Sequence, residues 1–164
     1  MRTYDPQKEQ QVWQRVQGSR EERRQEQRTE TIQELIMQEM ASAAVFARLA
    51  RQMQPGEASL LQRLSSQEQA HGSCLKGIYT LTTGQKAVTR SPQPDAGTPE
   101  AILRRCYGNL MRNLKSYEAR AEDPEFGPVF ARLADQEREQ CRLVLELLGG
   151  LRMGNGQQRQ QVTG

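Results

Sequence analysis

The chain has 164 residues, 35% of them hydrophobic and 26% charged, with a mean hydropathy of -0.83, which leaves room for one core and too little for two. Twenty-two glutamines and 19 arginines against four lysines, with few aromatics and few β-branched runs, favour helix and exclude an all-β fold. The 23 basic residues are interleaved with 20 acidic ones, so the net charge of +3 implies no nucleic-acid partner, and the longest apolar run, Ala43 to Ala47, is far short of the roughly 20 residues a membrane span needs.

Residues 1–28 are polar, with Val12, Trp13 and Val16 as their only clustered apolar side chains. They read as an arm, partly helical, that leans on its own domain; the competing reading is a segment for a partner or a second copy. The first helix is predicted over Thr29–Met53, stopped by Pro55-Gly56, and the second over Glu57–Leu81, followed by Thr82-Thr83-Gly84. Residues 84–99 carry three prolines and two glycines, too many residues for a tight turn, and read as a crossover along the bundle. Thr98 and Pro99 are an N-cap and first-turn pair for a third helix reaching Ala121. After Asp123-Pro124 and Gly127-Pro128 a fourth helix is predicted over Pro128–Leu148, ended by Gly149-Gly150, with residues 151–164 as a flexible tail. Short loop, long loop, short loop is the connectivity of an antiparallel four-helix bundle with a long crossover between helices 2 and 3, over residues 29–150.

No apolar leader follows Met1, and Cys74, Cys106 and Cys141 are far apart and odd in number. Both features suit free thiols and a cytoplasmic location.

Side chains three and four apart share a helix face, so each apolar stripe can be read position by position. Helix 1 gives Ile32, Leu35, Glu39, Ala43, Phe46 and Ala50; helix 2 gives Leu61, Leu64, Glu68, His71, Leu75 and Ile78. Helix 3 gives Leu103, Cys106, Leu110, Asn113, Tyr117 and Ala121; helix 4 gives Phe130, Leu133, Glu137, Gln140, Val144 and Leu147. Helices 2 and 4 also repeat one another, with Arg63–His71 aligned on Arg132–Gln140. A carboxylate therefore stands mid-stripe in three helices, where burial without compensation costs several kcal/mol each. Protons, a basic partner or a metal must neutralise them. Glu-x-x-His at 68–71 presents an oxygen and an imidazole one turn apart on one face, so both can reach the same ion. The thiols and Tyr117 have an ordinary explanation as core.

Four segments carry a resemblance: Q-E-M-A-S-A-A-V-F-A-R-L-A at 38–50, S-S-Q-E-Q-A-H at 65–71, Y-G-N-L-M-R-N-L-K-S-Y-E at 107–118 and F-A-R-L-A-D-Q-E-R-E-Q-C at 130–141. Over residues 29–150 the chain resembles the ferritin-like superfamily, and within it the rubrerythrin-type di-iron domain. The resemblance implies Glu on helix 1, Glu-x-x-His on helix 2, Glu on helix 3 and Glu-x-x-His on helix 4. Glu39, Glu68, His71 and Glu137 match that pattern. Leu110 departs from it on helix 3, or Asn109 if the register is one residue earlier, and Gln140 departs on helix 4. Both departures fall on what the resemblance implies is the second metal position, and no four-cysteine electron-transfer module follows the bundle.

Two functions are then open. The first is a rubrerythrin-like protein of peroxide or iron handling, holding one ion of iron, manganese or zinc through Glu39, Glu68, His71 and Glu137, with peroxidase- or ferroxidase-type oxidoreductase chemistry if active. The second is a metal-free ferritin-like structural or interaction module without catalysis. The resemblance also implies a homodimer and, for the first function, a redox partner.

Overall fold

The computed structural model describes residues 5–161, with side chains through residue 154. Four helices account for nearly all of it: α1 (Pro6–Ala50), α2 (Pro55–Thr83), α3 (Pro99–Glu118) and α4 (Gly127–Gln161). The connections are short, long and short, so α1 and α2 form one hairpin, α3 and α4 a second, and residues 84–98 cross between them. The all-α, four-helix architecture is the one the stripes imply.

Local chemistry sets the ends. Asp5 caps α1, its Oδ1 accepting from Gln7 N at 3.1 Å, with Pro6 in the first turn. Pro55 opens α2 as well as closing the preceding turn, and Gly84 ends α2 at φ 71°, a left-handed conformation glycine takes without steric penalty. Thr98 caps α3 as expected, its hydroxyl accepting from Ala101 N at 3.2 Å. The crossover is tied to the bundle at both ends: Gln33 of α1 accepts from Val88 N and donates to Val88 O, while Arg105 of α3 donates to Asp95 and to the Ala96 carbonyl.

α1 and α3 end at Ala50 and Glu118, three residues short of the expected Met53 and Ala121, and two other boundaries differ from the sequence reading by much more. Helix 1 does not begin at Thr29: α1 is unbroken from Pro6, and the hydroxyls of Thr29 and Thr31 turn back to the carbonyls of Gln25 and Gln27 inside the helix. The polar segment before it is made of good helix formers and simply continues the axis. Pro6–Gln27 therefore projects about 33 Å past the bundle instead of leaning on it, with Val12 and Trp13 59% and 55% exposed. Nor does helix 4 stop at Leu148. Gly149-Gly150 lies within α4, each glycine costing about 1 kcal/mol relative to alanine, and Leu151 packs on the core beyond it and carries the helix onward. Of the tail expected to be flexible, residues 151–161 are thus helical, and 162–164 lie outside the described residues.

The core divides in two. Phe46, Leu49, Leu61, Leu64, Leu103, Leu110 and Val144 pack together toward the α1–α2 turn. Ile32, Leu35, Ile36, Leu75, Tyr117, Phe130 and Leu133 pack toward the α3–α4 turn. Between them lies a layer of buried polar side chains: Glu39, Glu68, His71, Asn113, Glu137 and Gln140. Among the described residues, no helix is long and apolar enough to cross a membrane.

Candidate metal centre

Each helix delivers its mid-stripe polar residue to that layer because the apolar turns on either side are already committed to the core. Leu35 and Ala43 bracket Glu39; Leu64 and Leu75 bracket Glu68 and His71; Leu133 and Val144 bracket Glu137 and Gln140. The four predicted ligands come together. Glu39, Glu68 and Glu137 are 0% exposed and His71 2%, and one ligand atom from each lies within 4.8 Å of all the others.

His71 is the hub. Its Nδ1 stands 3.5 Å from Glu39 Oε2, 3.6 Å from Glu68 Oε1 and 3.5 Å from Glu137 Oε1. Its other ring nitrogen, Nε2, donates to Gln136 Oε1 at 3.0 Å, which turns Nδ1 toward the three carboxylates. Glu39 is oriented from α3: its Oε1 accepts from Asn113 Nδ2 at 3.0 Å and from the Tyr117 hydroxyl, leaving Oε2 to face the hub. Tyr117 is itself core, stacked on Phe130 with ring centroids 6.3 Å apart.

The donor set fits a divalent cation. Glu39 Oε2, both oxygens of Glu68, both of Glu137 and His71 Nδ1 are buried with no hydrogen-bond partner, an expensive state for six polar atoms that a shared positive ion relieves. Ligand atoms about 2.1 Å from one ion and tetrahedrally arranged sit about 3.4 Å apart, close to the spacing around Nδ1. Three carboxylates and one imidazole suit iron, manganese or zinc better than a soft, thiolate-seeking metal.

The charge balance without an ion is equally informative. Burial pushes Glu68 well above the usual carboxylate range, and the charges of Glu39 and Glu137 push it further. Glu137 is raised to about 8 by burial, against the pull of His71. Burial alone would lower His71, but Glu137 and Glu39 overcome it and hold the ring at about 9. Burial would raise Glu39 too, yet the His71 ring close beside it and the Tyr117 hydroxyl win and lower it. Without an ion, the layer is therefore balanced by protons: the shifts favour an imidazolium beside an ionised Glu39, with Glu68 and Glu137 drawn toward their protonated forms.

The second half of the layer is different. Leu110 is fully buried in apolar packing, and Asn109 accepts from Arg112 at the exposed edge of α3, so of the two it is Leu110 that faces the core. Gln140 is buried beside Glu68 with both amide atoms unpaired, and Asn113 keeps an unpaired Oδ1. Among the described residues, one four-residue ligand cluster is found. Sequence reasoning missed the roles of Gln136, Asn113 and Tyr117. Asn113 and Tyr117 had a signal, two polar tips four residues apart on an apolar stripe; Gln136, on an exposed face of α4, had none. Two of the three thiols fit their core reading, since burial raises Cys106 to about 12 and Cys141 to about 11, far from reactive; Cys74 is only half-buried.

These features define a class, an all-α protein whose crossover-connected bundle encloses a carboxylate-rich polar layer. No protein-family model matches the sequence, and no curated protein matches it. Among solved structures the chain is similar to Chlorobium tepidum ferritin, with a TM-score of 0.59 and 18% identity, covering 76% of this chain and 83% of that one. The fold is ferritin-like.

Proposed function

We propose that this protein holds one divalent metal ion, of the iron, manganese or zinc class, between Glu39, Glu68, His71 and Glu137, in a ferritin-like bundle related to rubrerythrin-type domains that handle iron or peroxide. The observation that carries the reading is the set of six unpartnered ligand atoms converging in a sealed layer. When bound, such an ion supplies Lewis acidity and, for iron or manganese, one-electron chemistry. The chain's own residues do the rest. Gln136 fixes the imidazole, Asn113 and Tyr117 fix Glu39, and the flanking apolar clusters exclude water. Leu110 and the neutral amide of Gln140 offer no charge for a second ion, which favours one ion per chain. Metal analysis of freshly purified protein beside Glu68→Ala and His71→Ala tests this: about one ion per chain is expected, and none in either variant. A metal-free protein that refuses added iron, manganese and zinc at neutral pH overturns it.

A second reading, a metal-free structural or interaction module, is favoured by the layer's capacity to balance its charge with protons and by Leu110 and Gln140. The two part on chelation. A ligand that binds only the folded state adds stability, so chelator lowers the melting temperature by several degrees on the first reading and leaves it unchanged on the second.

A further inference from the structure

Outside the polar layer, residues 145–152 of α4 and the first turns of α3 form a groove of about 420 Å³ lined by Arg104, Tyr107, Leu145, Leu148, Gly149 and Arg152. Its size is in the range of small-molecule sites. Leu145, half-exposed, Leu148 and the Tyr107 ring make an apolar floor, and the two arginines stand at its edge. Glu100 shows how those arginines converge: its Oε1 accepts from Arg104 Nη2 at 2.8 Å and Nε at 3.3 Å, and lies 3.5 Å from Arg152 Nε. One carboxylate shared by two guanidinium groups leaves the rim with a net positive charge and unused donors that suit a second carboxylate.

Gly149 is the informative position. Glycine inside a helix is unfavourable by about 1 kcal/mol relative to alanine and is commonly retained so that another element can approach closely. Here a Cβ on Gly149 would meet nothing within 4 Å, so no neighbour uses the space. What the missing side chain does is leave the groove open between Leu145, Leu148 and Arg152.

We infer that this groove binds an amphiphilic monoanion, an aliphatic carboxylate whose hydrocarbon chain lies on Tyr107, Leu145 and Leu148 and whose head group is held by Arg104 and Arg152. The charge of the rim selects an anion, and the floor selects a hydrocarbon body. The inference is independent of the metal reading, since none of these residues belongs to the polar layer.

The test is calorimetric titration of the full chain with octanoate and, in parallel, with 1-octanol. Saturable one-to-one octanoate binding is expected, with octanol at least tenfold weaker. Gly149→Phe fills the groove and abolishes binding with a melting temperature equal to or above that of the parent, because the space is open and glycine is the poorer helix former. Arg104→Gln with Arg152→Gln removes the preference for octanoate over octanol. Absence of saturable octanoate binding, or binding that Gly149→Phe leaves intact, overturns the inference. So does a sedimentation profile showing a dimer that Gly149→Phe splits, which would assign the groove to a second copy.

Discussion

Glu68 and His71 on α2, and Glu137 and Gln140 on α4, occupy matching turns of a repeated segment, each pair preceded by a fully buried leucine at 64 or 133. The α2 pair faces Glu39, which is hydrogen-bonded and aimed; on α4 only Glu137 joins that cluster, while Gln140 stays outside it and α3 contributes Leu110 instead of a charge. The same repeated segment thus supports two members of the cluster on α2 and one on α4, where a neutral amide stands in the place of the imidazole. Geometry in a bundle is inherited from the apolar turns that flank a site, and the chemistry at the site can change while that frame stays.

The largest effect should come from removing the hub of the cluster. His71→Ala is expected to abolish metal retention outright, measured by elemental analysis after desalting. Glu68→Gln should do the same while raising the melting temperature of the metal-free protein by a few degrees, since a neutral amide replaces a carboxyl whose burial is costly; a ΔΔG of 1 kcal/mol corresponds to roughly 2–4 °C in a chain of this size. A lower melting temperature for that variant would mean Glu68 is better satisfied without metal than the layer's hydrogen bonds indicate.

Next in size is conversion of the uncharged positions beside the cluster, Leu110 and Gln140. Leu110→Glu with Gln140→His should raise the bound metal from one ion to two per chain and should destabilise the metal-free bundle, because it adds a carboxylate to a sealed core. Unchanged stoichiometry would show that Leu110 and Gln140 do not govern the second position. Smaller effects should follow from the orienting residues: Tyr117→Phe and Asn113→Leu each weaken metal binding by about 10- to 100-fold, and Gln136→Ala falls at the low end of that range because it is exposed and touches only the far side of the ring.

The pH dependence sharpens the same contrast. His71 and Glu137 are raised in the fold, to about 9 and about 8, from ordinary values of 6.5 and 4.5. Stability drawn from a raised group is complete below its ordinary value and lost as pH climbs through the raised one. The metal-free protein should therefore lose melting temperature between about pH 4.5 and 9, with the opposite contribution, from the lowered Glu39, lost as acid protonates it. Metal affinity should rise over the same interval, because binding must displace the protons on His71, Glu137 and Glu68. A metal-free melting temperature that rises toward pH 9 would contradict the proton inventory of the layer.

Much of this was legible in the sequence. A 3.6-residue period put Glu39, Glu68, His71 and Glu137 on apolar stripes, and a buried stripe has one inward side, so their convergence follows from periodicity and connectivity alone. The caps at Thr98 and Gly84 were legible for the same local reason. The ends of the bundle were not: where a helix stops depends on whether a polar run has anything to stop it, and neither Thr29 nor Gly149-Gly150 competes strongly enough with continued helix.

What the sequence by itself determined is the four helices, their order and the polar layer at mid-bundle, because these rest on spacing along one chain. Only the tertiary structure decided which nitrogen of His71 faces the carboxylates, that Tyr117 and Asn113 of the opposite hairpin aim Glu39, that Leu110 rather than Asn109 faces the core, and that α1 runs on past the domain. Those depend on distances between residues up to 78 positions apart, which no local pattern encodes.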